Sequence, residues 1–271
     1  MLFAICLQPF IPMRASASER SEMVNQMLFG DTFRIVEELP RWYKVIRDCD
    51  QYEGWIDWKT ATLLKEQDYR HYLSQSENAL LLRQPYNVIS ELGTGGQSVS
   101  LYLSWGSRIF DMDEVGIEFQ VQGHRFDVPP MSCVEPMKAS SVSRNACAKF
   151  LLQQARMLVN VPYLWGGCSA FGLDCSGFTQ TLFRFIGISL PRNASQQAEL
   201  GEEVDFGHCL AGDLAFFGRD GKISHVGLCD NENRILHCSS RLHYDTLRED
   251  GIFSEERQEK THNLVCIRRF F

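Results

Sequence analysis

Gly172-Leu173-Asp174-Cys175-Ser176-Gly177-Phe178-Thr179 sets a cysteine where a glycine-containing turn runs into an apolar-periodic helix. Phe178, Leu182, Phe185 and Ile186 follow on one face, and Gly187 stands just past the end as a C-terminal stop. A sulfur at a helix start faces unpaired backbone N–H groups and the positive end of the helix dipole, both of which favour S⁻ over SH. The stretch therefore predicts an ionised, nucleophilic Cys175. A catalytic thiolate needs a proton shuttle, and Ser224-His225-Val226-Gly227-Leu228 supplies a histidine on a short β-prone run. A second follows in Arg234-Ile235-Leu236-His237-Cys238. The polar cluster Asp230-Asn231-Glu232-Asn233 between the two runs predicts a hairpin. A three-residue loop at 230–232 sets His225 directly opposite His237 on one face, and a four-residue loop shifts the register by one. The pattern is that of nucleophile, base and orienting group. His71, His124, His208, His243 and His262 have no such setting and are expected to be surface or otherwise satisfied residues.

Working outward, Ser143 is positioned to cap a helix whose apolar positions Cys147, Phe150, Leu151, Met157 and Leu158 keep a helical period until Pro162. Strands dominate afterwards, from Asp213–Phe217 through the histidine hairpin to Leu264–Arg268. Helices followed by an antiparallel sheet make an α+β arrangement. Ahead of it, residues 3–65 hold short β-prone runs at Thr32–Val36, Trp42–Ile46 and Glu53–Asp57, the spacing of a small barrel. The polar residues 66–78 read as a linker. A less regular β-rich stretch follows, through Leu80–Leu82, Tyr86–Ile89, the glycine cluster Gly93-Thr94-Gly95-Gly96, Ser98–Leu103 and Gly116–Val121, and predicts another barrel. Pro129-Pro130 and Glu135-Pro136 then punctuate the chain. The expected domains are 1–66, 78–136 and 143–271.

At 271 residues with 44% apolar and 23% charged content, the chain suffices for two or three cores. A net charge of −7 lacks the basic stripe expected of a nucleic-acid binder. Met1 to Ser18 ends in an Ala-Ser-Ala run that imitates a cleavage site, but it has no basic start and is broken by Gln8, Pro9 and Pro12. We expect a first barrel strand there, and no run approaches the 18 or so apolar residues of a transmembrane helix. The ten cysteines form no C-x-x-C pair and no short-range framework. That usage suggests reduced thiols and a cytoplasmic location, with the periplasm or envelope as the alternative if a leader has been removed. A zinc site from Cys229, His237, Cys238 and His208-Cys209 matches no common ligand spacing, so no metal site and no cofactor are assigned.

Several pieces of the sequence are linked in order: Pro162-Tyr163-Leu164-Trp165-Gly166-Gly167, the Cys175 stretch, and Leu190-Pro191-Arg192-Asn193-Ala194-Ser195-Gln196-Gln197. Gly212-Asp213-Leu214-Ala215-Phe216-Phe217, Ser224-His225-Val226-Gly227 and the His237 strand complete the set, which covers residues 145–271. Together they resemble the NlpC/P60 cysteine peptidases of bacterial cell-wall metabolism. Within the family the chain looks most like the γ-D-glutamyl-L-diamino acid endopeptidases, or dipeptidyl-peptidase VI, which carry bacterial SH3-like domains ahead of the catalytic domain. The resemblance implies a papain-like core preceded by two small SH3-like β-barrels. It implies hydrolysis of the γ-D-glutamyl–diamino acid bond in murein peptides with a free N-terminal L-Ala, by Cys175, His225 and His237, with the Tyr163 hydroxyl as an oxyanion donor. It further implies that Asp174, Tyr52 and Glu22 receive the free amine and that Trp165, Ser176 and Ser195 line the dipeptide pocket. Asn193 stands where the family pattern has Asp, and no role is assigned to it. An alternative makes the SH3-like domains peptidoglycan-binding modules that tether a wall hydrolase of broader specificity. Lecithin:retinol acyltransferase-like relatives place the histidine before the cysteine, whereas here the order is Cys then His, which favours peptide hydrolysis. The resemblance assigns no oligomeric state.

Overall fold

A computed structural model describes residues 2–93, 97–129 and 131–271, so Thr94, Gly95 and Gly96 of the expected glycine cluster and Pro130 of the proline pair lie outside the described residues. The chain divides into two compact units, residues 1–136 with 168–170, and residues 137–167 with 171–271.

The N-terminal unit begins with strands β1 (Leu2–Ile5), β2 (Phe10–Arg14), β3 (Met23–Leu28), β4 (Thr32–Leu39), β5 (Trp42–Arg47), β6 (Glu53–Asp57) and β7 (Thr62–Leu64). They form one sheet in the order β3-β2-β6-β5-β4-β1-β7. The first residues are indeed a strand, β1 pairing with both β4 and β7. Alternate residues such as Ile11, Met13, Phe33, Ile35, Val45 and Ile56 make its core. Residues 66–78, expected as a linker, instead contain helix α1 (Glu66–Gln75). The reason lies in Tyr69 and Tyr72, which are three apart and both buried, Tyr69 stacking on Phe3 at 4.3 Å.

The next stretch holds β8 (Leu80–Leu82), β9 (Tyr86–Leu92), β10 (Ser98–Ser104), β11 (Arg108–Ile109), β12 (Glu118–Val121), β13 (His124–Asp127) and β14 (Cys133–Val134). These make two small sheets, β10-β9-β13-β12 and β11-β8-β14, in place of one regular second barrel. Their residues Leu82, Ile89, Leu103, Phe119 and Phe126 share a core with Ile5, Phe29 and Tyr69. Beside that core, the Asp31 carboxylate pairs with the buried guanidinium of Arg108 and accepts the Leu28 amide at 3.0 Å, while Arg47 lies 3.7 Å away. Gly30 is required next to it. Its φ is +86°, and a Cβ there would stand 2.5 Å from the Arg108 carbonyl oxygen.

The second unit carries α2 (Arg144–Arg156), capped by Ser143 as expected, with Ser143 Oγ accepting the Ala146 amide at 3.4 Å. After β15 (Cys168–Ser169, part of the first unit) come β16 (Gly172–Leu173), α3 (Cys175–Arg184) and the short α4 (Ala194–Gln197). Strands β17 (Glu202–Glu203), β18 (Leu214–Arg219), β19 (Lys222–Asp230), β20 (Arg234–Ser239), β21 (Arg241–Arg248), β22 (Gly251–Ser254) and β23 (Glu259–Arg269) follow. β23 pairs with both β18 and β22, closing β18 to β23 into an antiparallel barrel with β17 at its flank. Phe217, Cys229, Ile235, Leu247, Ile252 and Ile267, one from each of those six strands, pack in a single cluster. Helix α3 packs on β19 and β20.

The Asp31 pairing makes a stability prediction. Asp31→Ala leaves the Arg108 charge buried without its carboxylate and is expected to cost about 3–5 kcal/mol in denaturant unfolding. Glu66→Gln, which removes an exposed i,i+4 pair with Arg70, is expected to change it by less than about 0.5 kcal/mol.

Candidate active site

Helix α3 starts at Cys175 because Asp174 caps it, its Oδ1 accepting the Gly177 amide at 2.7 Å. Its Oδ2 accepts the Gly166 amide at 2.9 Å. Arg192 grips the same carboxylate through both terminal nitrogens and donates to Ser176 Oγ at 2.9 Å. Buried Gln197 accepts the Thr179 hydroxyl at 2.7 Å and donates to the carbonyls of Ser176 and Pro191 at 3.0 and 2.9 Å. Arg192 and Gln197 thus lock the helix start from the segment after it, a job the sequence reading did not assign them.

The loop before the helix is fixed as tightly. Cβ atoms on Gly167 and Gly172 would stand 2.3 Å from the Gly172 carbonyl oxygen and 2.5 Å from Leu164 Cβ, so this approach admits only glycine. Tyr163 forms a parallel bridge with Leu173 and donates its amide to the Ser240 carbonyl at 2.8 Å. Cys238, next to His237, donates its thiol to the Leu173 carbonyl at 3.1 Å. Cys175 itself is buried, and the backbone amides of Val226 and Ser176 are near enough to its sulfur to favour the thiolate. Cys175 therefore sits near the backbone of the residue that follows His225.

The histidine hairpin forms, in a different register. Asp230 pairs with Arg234 across a loop at 231–233, with Glu232 and Asn233 both at positive φ. His237 consequently opposes Gly227. The shift is by two residues, which keeps both histidines on one face, because side chains alternate with period two. A Cβ on Gly227 would stand 3.0 Å from His237 Cβ, and its absence leaves room for His237 to reach diagonally to His225. His225 Nε2 lies 2.9 Å from His237 Nδ1. His237 Nε2 then lies 3.2 Å from Asp245 Oδ2. Because an ionised carboxylate only accepts, His237 carries its proton on Nε2, its Nδ1 accepts from His225 Nε2–H, and His225 Nδ1 is left as that ring's basic nitrogen.

Asp245, His243 and His262 were missed. His243 faces His237 directly across β20 and β21, and its Nε2 lies 3.3 Å from Asp245 Oδ2. His262 stacks on His225 with ring centroids 4.4 Å apart. The signal for two of them was present. Arg241-Leu242-His243-Tyr244-Asp245 alternates, and a tight turn at Ser240 puts His243 opposite His237. His262 arrives from the far end of the chain when β23 closes the barrel, for which the sequence has no local cue.

Electrostatics correct the expectation of a ready-made thiolate. Burial, followed by the negative Asp174 alongside, pushes the Cys175 thiol up to about 11, and the Val226 and Ser176 amides offset this only in part. Burial, then the neighbouring His237, His262 and His243, hold His225 well below the usual histidine range. Burial likewise lowers His237 against the opposing pull of Asp245, and takes His262 down to about 4. Asp245 is raised by burial but carried below the usual carboxylate range by the hydrogen bond and charge of His237. At neutral pH the resting pair is thiol and neutral imidazole. Burial and the Asp174 charge outweigh what the helix start offers the sulfur.

The remaining sequence-predicted residues fall as follows. Tyr163 is half-buried, and burial, then a negative charge on Cys175, would raise its phenol, keeping it a proton donor. Trp165 is exposed on the loop beside Gly166. Ser176 is buried with its hydroxyl bound to Arg192 and Asp174. Ser195 is exposed on α4, where it lines a cavity of about 670 Å³ with Glu199, Glu203, Lys222 and Arg268. Tyr52 and Glu22 belong to the N-terminal unit. Tyr52 packs against the core of the first sheet just ahead of β6, and Glu22 precedes β3.

Residues 160–260 match the NlpC/P60 family, and residues 13–59 match the bacterial dipeptidyl-peptidase Sh3 domain. A γ-D-glutamyl-L-lysine dipeptidyl-peptidase of Bacillus subtilis is 30% identical over 79% of this chain and 71% of its own length. The protein of that name from Bacillus cereus is 26% identical over 80% of this chain and 67% of its own. A crystal structure of an NlpC/P60 family protein from Bacillus cereus has the same fold, with a TM-score of 0.81 over 99% of both chains at 20% identity.

The raised thiol is directly measurable. With Cys175 near 11, about one sulfur in 10⁴ is ionised at pH 7, and the fraction grows about tenfold per pH unit. Iodoacetamide alkylation of the Cys175 peptide, followed by mass spectrometry without substrate, is expected to accelerate about tenfold per unit from pH 7 to 9. A rate already level across that range contradicts the neutral pair.

Proposed function

Because this chain belongs to the NlpC/P60 family of cysteine peptidases, with a dipeptidyl-peptidase Sh3 domain ahead of the catalytic residues, we propose that it hydrolyses the γ-D-glutamyl–diamino acid bond of murein peptides that begin with a free L-Ala. The chemistry rests on one observation, the hydrogen-bonded series His225, His237 and Asp245 on the sheet against which the helix begun by Cys175 is packed. The choice of substrate is supported by the names of the two Bacillus relatives, both γ-D-glutamyl-L-lysine dipeptidyl-peptidases.

Attack begins with transfer of the Cys175 proton to His225 Nδ1 as the sulfur bonds to the γ-carbonyl carbon. With both partners neutral at rest, that transfer is uphill, and stabilisation must come from the donors that meet the developing oxyanion. The Cys175 amide at the helix start and the protonated Tyr163 hydroxyl are suited to it. The imidazolium is held by His237, whose own proton remains with Asp245. It then protonates the leaving amine of the diamino acid as the C–N bond breaks. Water attacks the thioester, His225 takes its proton, and L-Ala-D-Glu leaves as Cys175 recovers its hydrogen.

A substrate ammonium calls for anionic or neutral oxygen acceptors, which is the chemistry of Asp174, Tyr52 and Glu22. Asp174 already serves as helix cap and Arg192 partner. Trp165, Ser176 and Ser195 complete the proposed dipeptide pocket. Division into 1–66, 78–136 and 143–271, with the second stretch as a diverged SH3-like module, belongs to the same reading. So does a cytoplasmic role in recycling cell-wall peptides, a reading that rests on the sequence spacing of the ten cysteines, which form no C-x-x-C pair. No helix among the described residues is long and apolar enough to cross a membrane.

The test is cleavage of a defined L-Ala-γ-D-Glu-diamino acid tripeptide followed by mass spectrometry. We expect release of L-Ala-D-Glu, its abolition by Cys175→Ala, and strong loss on N-acetylation of the substrate. Equal activity on N-blocked peptide or on insoluble wall contradicts this specificity and favours a wall-tethered hydrolase. Asp245→Asn is expected to lower kcat on the order of 10- to 100-fold with little change in KM, since it disturbs the tautomer and not the substrate.

A further inference from the structure

We propose that His237, His243 and Asp245 form a binding site for a divalent transition cation of the Zn²⁺ type, and that its occupancy switches the peptidase off by reversing the proton order along the histidine series. The inhibition half of the proposal rests on the reading given above, whereas the binding half does not.

The donor set is already gathered. Asp245 Oδ2 lies 3.2 Å from His237 Nε2 and 3.3 Å from His243 Nε2, and one donor atom from each of the three residues lies within 4.8 Å of the other two. Ligands of a tetrahedral zinc, at bond lengths near 2.0–2.1 Å, stand about 3.3 Å apart. Two of the three edges therefore need no change, and a small swing of the partly exposed His243 ring closes the third. Two imidazoles and one carboxylate are a donor set that suits zinc and its neighbours, with a fourth position left for water.

The outer contacts are those a ligating histidine uses. His243 Nδ1 donates to the Arg241 carbonyl oxygen at 2.8 Å, which fixes the ring, and a cation takes the place of the proton that Nε2 shares with Asp245 Oδ2. The Glu255 amide binds the other Asp245 oxygen, Oδ1, at 3.3 Å and orients the carboxylate. His237 and Asp245 are buried, while the partly exposed His243 gives an entry edge.

Occupancy has a defined consequence for the base. In the resting enzyme His237 holds its proton on Nε2, and a cation there takes that proton's place. A neutral imidazole bound through Nε2 carries its hydrogen on Nδ1, which then donates to His225 Nε2 at the existing 2.9 Å contact. His225 in turn carries its hydrogen on Nδ1, the nitrogen that must be empty to accept from Cys175. His225 and His237 each exchange one proton position through solvent, and the proton that His243 Nε2 shares with Asp245 is released to solvent.

Zn²⁺ is titrated by calorimetry into the Cys175→Ala protein, which removes the thiolate as a competing ligand and any dependence on activity. One equivalent is expected to bind, and His243→Gln in the same background is expected to weaken binding at least tenfold. Co²⁺ in the Cys175→Ala protein is expected to show ligand-field bands without sulfur charge transfer, a readout that needs no change at His243. With the unsubstituted enzyme, Zn²⁺ is expected to inhibit tripeptide cleavage and EDTA to restore it. Failure of Cys175→Ala to bind Zn²⁺, or unaltered binding by the folded His243→Gln protein, overturns the site. Binding without inhibition overturns the switch.

Discussion

The 2.9 Å contact between His225 Nε2 and His237 Nδ1 is the constraint on which the proposed chemistry depends. A neutral imidazole has one proton to place, and only this contact decides which nitrogen of His225 stays basic. The direction of the contact is inherited from Asp245, an obligate acceptor one hydrogen bond further back. The barrel exists, for this purpose, to hold three strands in register. Cys229, Ile235 and Leu247 pack inward, and His225, His237 and Asp245 share their strand parity, so the polar series extends an apolar row. Gly227 completes the arrangement, since any side chain there would crowd His237 and Ile235.

A second anchor fixes the sulfur. Asp174 binds the helix start, the Gly166 loop and Arg192 with one carboxylate. This has an electrostatic cost, because the same charge raises the thiol it positions. Arg192 partly compensates, lowering Cys175 while neutralising Asp174. The outcome is a sulfur reluctant to ionise. In the proposed mechanism thiolate is made on demand, and reactivity is tied to a bound carbonyl able to take up the charge.

Much of this was legible from local pattern. The capped Cys175 helix, the Ser143 helix and the histidine hairpin follow from apolar period, cap residues and a polar turn. What failed needed information from afar or from backbone conformation. The hairpin register slipped because Glu232 and Asn233 adopt positive φ and move the loop one residue on. Residues 66–78 looked polar enough to be a linker, yet two tyrosines three apart buy α1 its place on the core. The second β stretch has short, uneven strands, and these settle as two small sheets about one core. His262 enters only through closure of β23 against β18 and β22. The ionisation of Cys175 was misjudged because helix position is visible in sequence, whereas burial of the sulfur is not.

The account turns on where the protons reside before substrate arrives. Nitrogen-15 spectra of the histidine side chains in the free enzyme at pH 7, assigned with His225→Gln and His237→Gln proteins, report this directly. The structure predicts His225 neutral, with its proton on Nε2 and Nδ1 bare, and His237 neutral with its proton on Nε2. A His225 signal protonated on both nitrogens, the mark of an imidazolium beside a preformed thiolate, would contradict it.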